Sequence, residues 1–245
     1  MRLLATVMIA VLLAPCARAA DVSVAVAANF TDAAKEIGAA WARASGHRPM
    51  FSFGATGQLY AQIAQGAPFE VFLAADQETV RRAIAEKHAV ADTQFTYARG
   101  RIALYSRDPG LVKGPQTLVE GAFARLAIAN PAAAPYGAAA VEAMKKLGVY
   151  DRLARRLVQG QSIAQAHQFV ETGNAELGFV ALAQIVDSNE GSRWVVDEAL
   201  YAPIRQDAVL TARGAGSPAA RAFLAYLAGP DAARTIEKYS YGTAR

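Results

Sequence analysis

The sequence predicts an α/β fold with largely parallel sheets, and three observations predict it. Short β-type runs alternate with helical stretches along nearly the whole chain, the order that builds sheets covered by helices. Hydrophobic residues fill 53% of the 245 positions and charged residues 19%, enough apolar surface for a substantial core. The runs are punctuated by turn residues, as at Gly46, Gly66 and the turn-rich stretch 106–115, and no composition shift marks a linker.

Taken in order, residues 22–27 alternate apolar side chains and read as a buried strand. Residues 31–44 place Ala34, Ile37 and Trp41 at helical spacing and stop at Gly46. Residues 49–53 form a second strand, and 58–65 a helix stopped by Gly66. Residues 69–73 form a third strand, after which Asp76 caps a helix running to about 87. Strands are predicted at 101–106 and 125–129, then near 176–180, 193–197 and 207–212, with helices at 137–147, 163–172 and 217–238. Residues 24–29 (VAVAAN) and 126–130 (LAIAN) share an order of strand, Ala, Asn and small residues before a helix. Either an alanine-rich chain repeats itself by chance, or two similar lobes each offer a strand–loop–helix junction to one cleft. Open α/β sheets bind ligands at the carboxyl ends of strands.

The amino terminus predicts export. Arg2 is followed by an apolar run over 3–14 broken only by Thr6, then by Ala17-Arg18-Ala19. This reads as a signal peptide over residues 1–20, too short to span a bilayer, with cleavage after Ala19 or Ala20. A lipoprotein signal at Cys16 is disfavoured by Pro15 before it. Cys16 is the single cysteine, which excludes a disulfide framework and a thiolate-rich metal site. The formal charge of +4 falls by two when Arg2 and Arg18 are removed, so nothing points to nucleic acid or an anionic membrane as partner. An exported, nearly neutral chain without cysteine is expected in the periplasm.

Catalytic signals are missing. His47, His88 and His167 are widely spaced and read as solvated, and no H-E-x-x-H, C-x-x-C, G-x-S-x-G or Walker motif occurs. Asp207 and the acidic turn at 187–190 have no accompanying nucleophile, so the chain is not expected to be an enzyme. Three strand–helix junctions are more informative: Ala-Ala-Asn-Phe-Thr at 27–31, Phe-Gly-Ala-Thr-Gly-Gln at 53–58, and Pro-Ala-Ala-Ala-Pro-Tyr-Gly at 131–137. Helix amino termini hold anions through free N–H groups without Lys or Arg. The same Asn29, Thr31 and Thr56 equally suit plain capping of their own helices.

These junctions, with Pro-Phe-Glu-Val-Phe-Leu-Ala-Ala-Asp at 68–76, Leu-Gly-Phe-Val at 177–180, Phe-Leu-Ala-Tyr-Leu-Ala-Gly-Pro at 223–230 and Tyr-Ser-Tyr-Gly at 239–242, resemble the molybdate-binding proteins of molybdate ABC importers. The resemblance covers essentially the whole chain after the signal, in order. It implies a two-lobed periplasmic-binding-protein fold of type II, each lobe a mainly parallel sheet flanked by helices, with two crossover strands as hinge. Lobe 1 would comprise 21–101 plus 206–245, and lobe 2 would comprise 102–205. It implies molybdate or tungstate as ligand, no cofactor, a membrane permease of an ABC importer as partner, and a monomer. By position it assigns ligand binding to Asn29 through side-chain amide and backbone N–H, Thr56 and Tyr136 through hydroxyls, and Ile163 through its main-chain N–H. Molybdenum would be held as the oxyanion, with no direct metal coordination by the protein. Two positions depart from the pattern: Ala181 stands where some members carry a binding Tyr, and Ala28 where some carry a hydroxyl.

The residue types suit that ligand. Molybdate is a tetrahedral dianion with acceptor oxygens only, so its site should offer neutral donors and no carboxylate. Phosphate keeps a proton near neutral pH and would want an acceptor. A receptor for sulfate or thiosulfate, an exported hydrolase, and a binding fold reused for signalling or adhesion are the alternatives.

Overall fold

The computed structural model describes residues 19–242, so the expected signal peptide lies, except for its last two residues, outside the described residues. The chain runs β1 (Asp21–Ala27), α1 (Thr31–Ser45), β2 (Arg48–Gly54), α2 (Thr56–Ala64), β3 (Val71–Leu73), α3 (Gln77–Ala85), β4 (Phe95–Gly100) and β5 (Ile102–Ser106). It continues through α4 (Gln116–Glu120), β6 (Leu126–Ala129), α5 (Pro135–Lys146), α6 (Tyr150–Leu153), β7 (Leu157–Gly160), α7 (Ile163–Glu171) and β8 (Leu177–Ala181). The last elements are β9 (Ser192–Val195), β10 (Ile204–Leu210), α8 (Pro218–Leu227) and α9 (Pro230–Lys238). No described helix is long and apolar enough to cross a membrane.

Local chemistry accounts for most boundaries. Helix α1 buries Ala33, Ala34, Ile37 and Trp41 on one face and ends at Gly46, whose φ of 74° only glycine adopts freely. Asp76 caps α3, accepting from the Thr79 N–H at 2.6 Å. The helix expected over 217–238 is two helices, because Pro230 lacks the N–H a continuous helix needs and starts α9 after Gly229. Strands β4 and β7 were not predicted. Both lie at sheet edges, as the predicted β2 and β9 do, but their runs are interrupted by polar residues, Thr96 and Arg99 in β4 and Gln159 in the four-residue β7.

The strands form two five-stranded sheets, ordered β2-β1-β3-β10-β4 and β7-β6-β8-β5-β9. β1 pairs parallel with β2 and β3, and β6 pairs parallel with β7 and β8. β10 is antiparallel to β3 and β4, and β5 is antiparallel to β8 and β9. Each sheet therefore has four strands running one way and one reversed. The reversed strand in each is the one that has just crossed from the other sheet: β5 follows β4 across Arg101, and β10 follows β9 across 196–203. The two units share one topology, which is the physical content of the echo between 24–29 and 126–130.

Two crossings make the hinge. Glu198 on the second forms an ion pair with Arg99 Nη2, near the end of β4, at 2.8 Å and stands 3.4 Å from Arg101 Nε on the first. On the facing loops, the Gly57 N–H donates to the Ala133 carbonyl at 3.0 Å, so backbone from the two units bonds directly across the cleft. The apolar cluster around the second sheet runs through Tyr136 into Ala27, Ala28, Ala55 and Ala75 of the first. The cleft is closed.

Candidate functional site

Four strand–helix junctions point at one place. β1 and β2 deliver Asn29 and Thr56 from the first sheet; the loops after β6 and β7 deliver Tyr136 and Ile163 from the second. All four residues are buried, and all four line one small cavity with Ala27, Ala28, Gly54, Ala55, Ala75, Ala134 and Pro135. The wall carries no Asp, Glu, His, Lys or Arg. Small side chains leave room there, and helix amino termini from both units supply partial positive charge.

The junction residues do not cap their own helices. Neither α1 nor α2 has a side-chain cap, and the Thr31 hydroxyl donates back to the Ala28 carbonyl at 2.8 Å. Thr56 is the first residue of α2, and its Oγ1 accepts from the Ala75 N–H at 2.9 Å. That contact occupies a lone pair and leaves the hydroxyl proton unused among the described hydrogen bonds. In α7 the cap is Ser162, accepting from Gln165 N–H at 3.3 Å. Ile163 is the first helical residue, where a backbone N–H has no intrahelical partner.

The Asn29 side chain departs from expectation. Its Nδ2 donates to Gln206 Oε1 at 2.8 Å and to the Tyr241 hydroxyl at 3.2 Å. Both amide protons are thus committed within the protein, and the backbone N–H is the donor left to Asn29. Sequence reasoning treated the amide as free because its partners lie 177 and 212 residues away along the chain. Tyr136 is 1% exposed, and its hydroxyl accepts from Gln206 Nε2 at 3.3 Å. Burial holds the Tyr136 phenol well above its ordinary range, reinforced by Tyr241, Tyr97 and Tyr201 around it. Tyr97 and Tyr241 are raised by burial first as well. These phenols stay neutral.

Three residues around the site were missed as functional candidates. Gln206 carried no sequence signal. Tyr97 sits on the unpredicted strand β4, and Tyr241 belonged to a motif that was given no role. Ala181 is buried in β8 and is not part of the cavity wall. The histidines lie elsewhere: His47 Nδ1 accepts from the Ala20 N–H at 3.1 Å, and half-buried His167 stands 3.3 Å from Glu171. Asp207 is buried and accepts from Gln94, Thr96 and Gln77, which makes it a structural acceptor holding β10 to its neighbours. No group of three or more His, Cys, Asp or Glu that could hold a metal ion occurs among the described residues.

Residues 22–242 match the model of a family described as bacterial extracellular solute-binding protein. The chain is 50% identical to the molybdate-binding protein ModA of Rhodobacter capsulatus, over 93% of this chain and 90% of that one. It is 52% identical to ModA of Azotobacter vinelandii, over 94% of this chain and 93% of that one. Among solved structures, a periplasmic molybdate-binding protein of Azotobacter vinelandii superposes with a TM-score of 0.88 at 36% identity, covering 90% of this chain and 98% of that one. With the fold, the closed cleft and these relatives in agreement, the chain belongs to the bacterial extracellular solute-binding proteins, among the molybdate-binding proteins of that family.

Proposed function

We propose that the protein is an extracytoplasmic receptor that captures molybdate, and tungstate with it, between two lobes and delivers it to the permease of an ABC importer. The observation that carries this reading is the cavity itself: neutral donors from both sheets, four strand–helix junctions, and no charged side chain on the wall. Such a site suits a fully deprotonated oxyanion and disfavours ligands that need an acceptor. Asn29 through its backbone N–H, Thr56 and Tyr136 through their hydroxyls, and Ile163 through its N–H are the donors we assign. Lobe 1 comprises 21–101 plus 206–245, lobe 2 comprises 102–205, and the receptor acts as a periplasmic monomer after its signal is removed. It performs no chemistry on its cargo. Hydrogen bonds to a charged group contribute about 1.5–3 kcal/mol each, so this donor set supports micromolar or tighter binding after desolvation. Calorimetric titration of the protein without residues 1–20 against molybdate, tungstate, sulfate and phosphate tests it. Tight binding of the first two with weak binding of the others is expected; preference for sulfate or phosphate would overturn it.

A further inference from the structure

We infer that Gln206, which does not touch the cavity, is a positioning residue that fixes the direction of hydrogen-bond donation at Tyr136. The inference rests on the receptor reading above. Gln206 is completely buried on β10, opposite a bulge where Ala98 pairs with Gln206 and Thr96 with Asp207. The extra residue on β4 is Tyr97, whose hydroxyl reaches Gln206 Oε1 at 3.1 Å.

The direction of each bond follows from the one before it. The Tyr241 hydroxyl gives its single proton to the Asn29 carbonyl at 2.6 Å, so toward Asn29 Nδ2 its oxygen can only accept. Asn29 must therefore present its amide nitrogen there, and the second proton of that nitrogen goes to Gln206 Oε1. With its oxygen held by the Asn29 amide, Gln206 must turn its nitrogen to Tyr136; the Tyr97 hydroxyl shares its one proton between that oxygen and the Ala74 carbonyl at 3.2 Å. The Tyr136 oxygen is thereby made an acceptor toward the protein. Among the described hydrogen bonds its own proton has no acceptor, and a dianion in the cavity, which offers acceptors only, competes for it with the neighbouring Tyr241 oxygen. A reversed Gln206 would set its amide nitrogen against the Asn29 nitrogen and invite Tyr136 to donate into the protein instead. The chain starts on the C-terminal segment, passes through the first junction and β10, and ends on α5 of the other unit.

Gln206→Met removes the relay while keeping side-chain length. Molybdate calorimetry on wild type, Gln206→Met, Tyr136→Phe and the double variant forms a cycle that separates a relay from a packing defect. Gln206→Met is expected to weaken molybdate binding roughly five- to fiftyfold alone, yet by no more than about twofold in the Tyr136→Phe background. Losses that multiply would overturn the inference, because a packing role does not depend on the phenol. Should Gln206→Met fail to fold, Tyr241→Phe breaks the same chain at its start and must show the same dependence on Tyr136. Wild-type affinity in a folded Gln206→Met or Tyr241→Phe protein would overturn this inference and leave the receptor reading standing. Failure of the wild type to bind molybdate would overturn the receptor reading itself.

Discussion

Gly100 and the Tyr136 hydroxyl meet at the hinge with no room between them: a Cβ on Gly100 would lie 2.1 Å from that oxygen and 2.9 Å from Gln206 Nε2. Gly100 ends β4, one residue before the chain crosses to the second sheet. The absence of a side chain here lets the phenol of one unit seat itself against the backbone of the other. Gly100→Ala should therefore act on closure. The phenol must withdraw or β4 must shift, at about 1–3 kcal/mol of strain in the closed form. Molybdate affinity measured by calorimetry should fall about five- to 150-fold. An unchanged dissociation constant would mean that the closed cleft tolerates displacement of Tyr136.

Tyr136→Phe should cost both affinity and stability. From sequence alone, the hydroxyl is only a ligand donor, and its removal leaves the unliganded protein unaffected. The structure adds a second consequence, since Gln206 Nε2 donates to that oxygen from a buried position. Loss of the ligand bond should weaken binding by about 1.5–3 kcal/mol, roughly ten- to a hundredfold. The orphaned amide should cost the closed form about 1–3 kcal/mol. Calorimetry and thermal unfolding of the same preparation check the two effects; equal affinities would remove Tyr136 from the donor set.

Thr56 separates hydroxyl from shape. Thr56→Val keeps the volume but leaves the Ala75 N–H without its acceptor and the cavity without one donor. Thr56→Ser keeps both bonds. Valine should weaken molybdate binding about tenfold or more and lower the melting temperature, whereas serine should stay within about threefold of wild type. Comparable losses in the two variants would assign Thr56 a packing role instead.

The contrast between Asn29 and Ile163 shows what the sequence carried. The place of Ile163 at the start of a helix was legible because it depends on local geometry alone, and Ser162 caps α7 as local rules require. The junctions themselves were legible for the same reason, since β1 and β6 are buried apolar runs ending in small residues, and β2, an edge strand with Met50 and Phe53 exposed, still ends in Gly54 before α2. The commitment of the Asn29 amide was not, because it depends on Gln206 and Tyr241, brought to it only by the crossover and the C-terminal segment. Strand β4 was missed for a related reason. Its Thr96 and Arg99 break the apolar alternation, and Thr96 is there to bond the buried carboxylate of Asp207.

Alkaline pH should act on folding before it acts on the donors. Tyr97, Tyr136 and Tyr241 all hold their protons above the ordinary phenol value of 10.0, burial being the first cause in each. Below that value the phenols are neutral in folded and unfolded chains alike, so they contribute no pH dependence. Above it the unfolded phenols ionise while the folded ones do not, so the unfolded state binds fewer protons and stability falls as pH rises. Molybdate affinity should be flat between about pH 7 and 9, with unfolding becoming easier only above about 10. Calorimetry and chemical denaturation across that range check this. A binding curve that titrates near neutrality would place a group other than these phenols in the site.

Salt tests whether the anion is held by dipoles or by ions. A groove between the two units carries both signs, with Asp32, Lys35, Glu36 and Asp187 around it. The cavity wall has no charged side chain, so the ligand meets only neutral groups and helix ends after closure. Screening acts over about 8–10 Å in water at physiological salt and far less across a buried contact. The long-range part of the attraction is also weak, because the chain's formal charge is only +4 with its amino-terminal arginines included. Raising sodium chloride from about 20 to 200 mM should therefore raise the molybdate dissociation constant by less than about threefold. Direct pairing with a buried Lys or Arg would be no more salt-sensitive, so a flat response alone does not separate dipoles from a hidden cation. Neutralising the lysine of that groove completes the test. Lys35→Gln should leave affinity within about twofold at high salt, since exposed charges lose most of their influence there. A tenfold loss in that variant at high salt would mean that Lys35 reaches the ligand, and the dipole account of the site would fail.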